Sequence, residues 1–132
     1  MTASYSVTAQ KEILIIEDDD ATREMLATAL RMTGYHVRTA PDGLAGLRLL
    51  EAYEPDVVVL DLGLPIATGF DVLNELRAVT KTRLTPVIAI SGMDHHLKAA
   101  RDNRDFIATI SKPFEPEAIV RAVDRAIKQY PV

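Results

Sequence analysis

The stretch VVVLD, residues 57–61, decides the fold. Val57, Val58, Val59 and Leu60 form an unbroken apolar run that stops at Asp61. Pro55-Asp56 precedes the run and Gly63-Leu64-Pro65 follows it. A short β-branched run between turn residues reads as a strand buried on both faces, the kind found in parallel sheets. Open α/β sheets carry their chemistry just beyond the carboxyl ends of such strands. Asp61 is therefore read as a carboxylate at the mouth of a core strand. From this stretch alone, the plainer reading of an Asp that starts a turn is equally open.

Upstream, Ile13-Leu14-Ile15-Ile16 repeats the pattern and ends in Glu17, Asp18, Asp19 and Asp20. A helix is expected from Ala21, with Met25, Leu26, Ala29 and Leu30 at helical spacing, Asp20 as N-cap and Gly34 as stop. His36 to Ala40 reads as a short strand around Val37, and Pro41-Asp42-Gly43 as a turn. Leu44, Leu47 and Leu50 mark a second helix reaching about Tyr53. Downstream of VVVLD, a helix is expected from about Gly69 to Ala78 with Val72, Leu73 and Leu76 inward. Pro86 to Ile90 is a strand ending in Ser91-Gly92. His95 to Asn103 is a short helix. Phe106 to Ile110 is a strand ending in Ser111-Lys112-Pro113-Phe114. Glu115 to Gln129 is the last helix, with Ile119, Val123 and Ile127 four apart and Ala122 and Ala126 beside them. Strand then helix, five times over, means βαβ units: a parallel sheet with helices on both faces.

Composition bounds what such a domain can do. The 132 residues make one domain, 48% hydrophobic and 26% charged, large enough for a core without staples. There is no cysteine, so disulfides and Cys-ligated metal are excluded. The net charge is −4 and no long Lys/Arg run occurs, so no direct nucleic-acid binding is expected. No apolar stretch approaches the ~18 residues that span a bilayer, so no membrane insertion is expected either. Residues 1–11 are polar and read as a flexible arm ahead of a domain at 12–130. They lack the apolar core of a secretory signal.

In a parallel sheet, the residues at the strand ends share one edge. Those residues are Glu17 and Asp18, then Asp61, Ser91 and Lys112. Clustered carboxylates repel one another and raise each other's pKa, and a hard divalent cation removes that difficulty. Mg²⁺ takes one or two carboxylates plus waters and leaves positions open for phosphate. With an ammonium from Lys112 and a hydroxyl from Ser91, the set suits phosphoryl transfer, with Asp61 as nucleophile. A helix-start acidic cluster, a turn serine and a surface lysine are the plain alternatives.

ILIIEDD, VVVLDLGLP, VIAIS and SKPF occur in order, Ser91 30 positions beyond Asp61 and Lys112 a further 21. In these pieces the chain resembles the receiver domain of the two-component response-regulator family, from about Glu12 to Gln129. The resemblance implies a doubly wound (βα)₅ fold with flavodoxin-like strand order 2-1-3-4-5. It implies Asp61 as phosphoacceptor, and Mg²⁺ held by Asp18, Asp61 and the Gly63 carbonyl, with Glu17 as the other acid acting through water. It implies that Ser91 and Lys112 bind the phosphoryl group and that the Lys112-Pro113 bond is cis. The implied phosphoryl donor is a sensor histidine kinase or histidine phosphotransfer protein. The implied output is contact with a downstream protein, from a monomer or a weak phosphorylation-dependent dimer in the cytoplasm. Such a domain is a switch that catalyses only its own phosphorylation and dephosphorylation.

Two departures bear on output. The position three before the lysine, aromatic in many family members, is Thr109, and Phe106 falls three residues earlier, out of register. Gly63 places no side chain beside the phosphoryl site, which disfavours a rival reading as a Mg²⁺-dependent aspartyl phosphatase with a second acid there. Other rivals are a pseudo-receiver that no longer uses phosphate and a receiver cut from a hybrid kinase or multidomain regulator. His95-His96-Leu97-Lys98 superficially resembles a histidine phosphotransfer stretch but follows a buried strand. The two histidines are not expected to share a ligand, because neighbours on a helix point about 100° apart. His36 is expected at a strand edge.

Overall fold

A computed structural model of the chain describes residues 10–65, 68–79, 82 and 84–129. Strands and helices alternate: β1 (Glu12–Ile16), α1 (Asp20–Met32), β2 (His36–Ala40), α2 (Gly43–Leu50), β3 (Val57–Asp61), α3 (Gly69–Ala78), β4 (Val87–Ser91), α4 (Asp94–Arg101), β5 (Phe106–Ser111) and α5 (Pro116–Gln129). The five strands form one parallel sheet in the order β2-β1-β3-β4-β5. The order reverses between β1 and β3, which places a crevice at their carboxyl ends.

The apolar runs behave as their composition dictates. Every residue of β3 and β4 is buried, and so are Ile13 to Ile16 in β1. Alternate side chains feed two cores. Leu14, Ile16, Val58, Leu60 and Ala89 pack with Val72, Leu73 and Leu76 of α3 on one face. Ile13, Ile15, Val59, Ile88 and Ile90 pack with Leu26 and Leu30 of α1 and Ile119 and Val123 of α5 on the other.

The edge strands are different. β2 shows an exposed–buried alternation, and its His36 lies at the sheet edge with Nδ1 2.7 Å from Glu12 Oε1. On the far side, the pairing of β5 with β4 is irregular between Val87 and Ile88: Phe106 pairs with Val87, but Ala108 pairs with Ile88. Ile107 is thus the extra residue of a bulge. Phe106 therefore faces the α3 side, whereas Ile107 and Ala108 both lie against the α1–α5 side. Thr109, paired with Ala89, turns back to the α3 side. In a regular strand, residues three apart face opposite ways. The bulge puts Phe106 and Thr109 on the same face, so an aromatic that is out of register in the sequence still stands on the expected side.

Several boundaries shift. The N-cap of α1 is Asp19 rather than Asp20, because the Asp19 carboxylate accepts from Thr22 N–H. Met25 is 36% exposed and Ala27 takes its place in the core. Helix α2 stops at Leu50 instead of continuing to Tyr53, and Leu44 is 56% exposed. Its buried residues are Gly43, Gly46 and Leu50. Gly46 is a packing glycine, since a Cβ there would come within 2.5 Å of Ile16 Cδ1. Gly34 has φ +105° just past α1, where its lack of a Cβ permits the helix stop. The expected N-terminal arm falls mostly outside the described residues. Its last two residues are bonded to the fold: Gln10 Nε2 donates to Gly34 O, and Lys11 O accepts from His36 N–H.

The amino ends of the later strands are tied by a single side chain. The Arg77 guanidinium, near the end of α3, donates to the carbonyls of Thr82, Thr85 and Asp105.

Candidate functional site

Five strand-end side chains gather at the carboxyl edge of the sheet. Asp61 ends β3 only 4% exposed, and Glu17 follows β1 with none of its surface exposed. Asp18 stands beside them on the solvent side. Carboxylate oxygens of Glu17, Asp18 and Asp61 lie within 4.8 Å of one another. Lys112, after β5, reaches across β4: its Nζ is 2.6 Å from Glu17 Oε1 and 3.3 Å from Asp61 Oδ2. The shorter contact is an ion pair rather than an aligned hydrogen bond. The sequence expectation that Glu17, Asp18, Asp61 and Lys112 converge is met in the geometry. The Lys112-Pro113 bond is cis, as expected.

Local chain geometry fixes each group. Gly63 N–H donates to Asp61 Oδ1 at 2.9 Å, so the loop that leaves β3 curls back to hold the carboxylate. Asp19 N–H donates to Glu17 Oε2 at 3.1 Å. Both Glu17 oxygens are thus engaged, one by Lys112 and one by the start of α1. Gly69, at the start of α3, is pressed against the strand end: a Cβ there would lie 2.5 Å from Asp61 O and 2.7 Å from Leu62 Cα. The Thr68 capping box closes the same helix end, with Asp71 N–H donating to Thr68 Oγ1 and Thr68 N–H donating to Asp71.

The electrostatics separate the two buried acids. Burial pushes Glu17 up to about 7, against the opposing pull of Lys112 and the Asp19 N–H. Burial also acts against ionised Asp61, but the Gly63 N–H, Glu17 and Lys112 together hold its carboxyl below the usual range. Of the two acids, Glu17 is thus the one whose charged form is disfavoured and Asp61 the one whose charged form is favoured. Lys112 is held charged: desolvation works against its ammonium, and Glu17 and Asp61 outweigh it. An ionised, fixed carboxylate beside an ammonium is a competent nucleophile for an anionic centre.

The carboxylates fit a divalent cation. Mg²⁺ holds oxygens at about 2.1 Å, so two of its ligands lie at most about 4.2 Å apart. The acid oxygens lie within 4.8 Å of one another, close to that limit, and exposed Asp18 is free to adjust its rotamer. Glu17 is already engaged on both oxygens.

Ser91 is buried at the end of β4, and its Oγ accepts from Met93 N–H at 3.0 Å. Nothing in the residue order hints at what lies next to it. His96 Nδ1 is 3.4 Å from Ser91 Oγ, and the His96 ring sits 6.2 Å, edge to face, from Phe70. The His95 and His96 rings lie 4.3 Å apart and tilted by 57° in the first turn of α4, and among the described residues neither joins the acid cluster that could hold a metal. The signal that could have found His96 is its place: a helix that starts three residues after a strand-end serine returns its first turn over that strand end.

A doubly wound parallel sheet in the order 2-1-3-4-5, with an acid cluster and a lysine at its switch point, defines a flavodoxin-like class of α/β domains. The chain belongs to one family within it: the response regulator receiver domain model matches residues 13–124. It is 36% identical over 127 residues to the DNA-binding dual master transcriptional regulator RpaA of Synechocystis, covering 86% of this chain and 50% of that protein. It is 30% identical to an uncharacterised 14.6 kDa protein of Leptolyngbya boryana, covering 93% of this chain and 95% of that one. Among solved structures, it resembles the receiver domain of a Pseudomonas aeruginosa sensor histidine kinase, with a TM-score of 0.79 and 29% identity over 91% of this chain and 99% of that one. That structure has a magnesium ion coordinated in its active site cleft. The chain spans about half the length of several curated relatives it matches, which are named as transcriptional regulators. No helix among the described residues is long and apolar enough to cross a membrane.

Proposed function

We propose that this receiver domain accepts a phosphoryl group on Asp61 and signals by the change that follows. The observation that carries the reading is the convergence at the strand ends: Asp61 is pinned by the Gly63 N–H, Lys112 Nζ lies 3.3 Å from it, and Glu17 and Asp18 stand beside it. An Asp61 carboxylate oxygen attacks the phosphorus of a phosphohistidine on a sensor kinase or phosphotransfer protein. The P–N bond breaks, the imidazole leaves with a proton, and an acyl phosphate forms on Asp61. Lys112 and the Ser91 hydroxyl bind its oxygens. Hydrolysis by water returns the carboxylate and inorganic phosphate. Asp18, Asp61 and the Gly63 carbonyl would hold Mg²⁺, which when bound neutralises phosphoryl charge, and Glu17 would act through water.

The domain is a switch rather than a turnover enzyme, and Gly63 offers no acid to speed hydrolysis. Its output is a protein contact in the cytoplasm, made as a monomer or a weak phosphorylation-dependent dimer, with no nucleic-acid contact by the domain itself. The length of relatives such as RpaA favours a second arrangement, in which a domain of this type controls a joined DNA-binding partner domain.

Intact mass after incubation with acetyl phosphate tests the reading. We expect a gain of one phosphoryl group that requires Mg²⁺ and is absent in Asp61→Asn. If the wild type with Mg²⁺ shows no gain and no affinity for beryllofluoride, the domain is a pseudo-receiver and the reading is wrong.

A further inference from the structure

A hydroxyl has one proton to give. The Ser91 oxygen already accepts from Met93 N–H, so its proton points elsewhere, and the ring nitrogen within reach is His96 Nδ1 at 3.4 Å. The His96 ring is not free to wander. Phe70 of α3 meets it edge to face, and Phe70 is itself met edge to face by Phe106 of β5 at 5.8 Å. The ring also overhangs the acid pocket. A Cβ built on Gly63 would lie 3.7 Å from Asp61 Oδ1 and 4.0 Å from His96 Cε1, so the glycine leaves the gap that the imidazole borders.

We infer that His96 is a positioning residue for Ser91: its Nδ1 takes the hydroxyl proton in the unphosphorylated domain and competes with the phosphoryl oxygen for it. The inference rests on the reading of Ser91 as a phosphoryl ligand. A phosphoryl group on Asp61 draws the hydroxyl away from the imidazole, and the released ring can move against Phe70 and Phe106. The bulge in β5 makes this arrangement accessible, because it turns Phe106 toward α3. A polar residue at Thr109 is then no break in the path, since the aromatic that meets this cluster comes from the other side of the bulge.

Two substitutions separate the nitrogen from the ring. His96→Phe keeps the edge contact with Phe70 and loses the acceptor, whereas His96→Asn keeps an acceptor near Nδ1 and loses the ring. Apparent affinity for beryllofluoride with Mg²⁺ measures how readily the pocket takes a phosphoryl mimic. Losing one weak neutral hydrogen bond in the empty state should tighten binding about three-fold in His96→Phe, the equivalent of about 0.7 kcal/mol. His96→Asn should bind like the wild type. In a Ser91→Ala background, His96→Phe should change nothing, because the coupled partner is gone. Equal affinity of wild type and His96→Phe, or a three-fold change that survives in Ser91→Ala, overturns the inference. A purely structural histidine would give the second result.

A readout on the metal-free protein keeps this separate from the phosphoacceptor reading. The ¹⁵N shifts of the His96 ring should show Nδ1 as the unprotonated nitrogen, and Ser91→Ala should move that signal. If beryllofluoride fails to bind the wild type but the ring signal responds to Ser91→Ala, the phosphoacceptor reading fails and the contact stands. If the ring signal is indifferent to Ser91→Ala, the contact itself is refuted.

Discussion

Glu17 has no exposed surface, and burial pushes its pKa up to about 7. In an unfolded chain the same carboxyl would titrate near 4.5. Between these values the folded state keeps a proton that the unfolded state has lost, so stability falls as pH rises through that window. Below the lower value both states are protonated and the contribution is complete; above the upper value it is gone. Asp61 acts in the opposite sense, because its lowered pKa matters only at more acid pH. Lys112 is raised, so its contribution is lost only in strong alkali. Urea unfolding of the metal-free protein at pH 5 and pH 7.5 should therefore differ by roughly 2 kcal/mol, the lower pH being more stable. Glu17→Gln should remove most of that difference; a difference that persisted would place the titrating group elsewhere. At this scale the sequence was informative for residues that end strands. Asp18, Asp61, Ser91 and Lys112 are found by locating where apolar runs stop. It was silent on burial and on cross-element contacts. Nothing in the order of residues says that Glu17 is sealed under Lys112 and the start of α1, or that His96 lies over Ser91.

Elements depend on how closely they must approach, and the glycines record this. Gly46 in α2 and Gly69 in α3 both sit where a Cβ would collide, but with different obstacles. At Gly46 the obstacle is the flexible end of Ile16, and at Gly69 it is the backbone of Asp61 and Leu62. A side-chain tip can turn aside; a strand end cannot. Gly69→Ala should cost about 2–3 kcal/mol in denaturant unfolding and Gly46→Ala about 1 kcal/mol or less. Equal costs would mean that the approach of α3 to β3 is looser than its geometry indicates. Thr68→Ala should cost about 1 kcal/mol through loss of the cap alone. Strand β3 and helix α3 were legible almost residue for residue, since a continuous β-branched run and a well-patterned amphipathic stretch leave little choice, and β2 was placed by Val37 between its flanking turns. Helix α2 was overextended because Tyr53, buried with Leu50 in the same core, extends the apolar spacing beyond the helix end, and its face was misread because Gly43 and Gly46 are buried whereas Leu44 is in solvent. The bulge in β5 was invisible, because an extra residue in a ladder is defined by the partner strand.

At the scale of the whole molecule, the sheet divides stability from chemistry. The apolar cores fill both faces, and the acid cluster occupies one edge. A cation bound at that edge binds the folded chain and has no equivalent site in the unfolded one. With Mg²⁺ at about 100 times its dissociation constant the folded state gains about 2.7 kcal/mol. The thermal midpoint of the wild type should accordingly rise by about 5–10 °C in saturating MgCl₂. Asp18→Asn should cancel the rise without lowering the metal-free midpoint, because Asp18 is exposed. An undiminished rise in that variant would remove Asp18 from the ligand set. The architecture was readable from strand–helix alternation, and its strand order from the resemblance to receiver domains. The packing of Ser91, His96, Phe70 and Phe106 was not, because it joins β4, α4, α3 and β5 across the fold.

The Arg77 guanidinium reaches three carbonyls near the amino ends of β4 and β5, at the pole opposite the acid cluster. In mechanical terms, it is a clasp: one rigid planar group ties the chain ahead of β4 to the chain ahead of β5, so these two strands cannot slide past one another at that end without breaking hydrogen bonds.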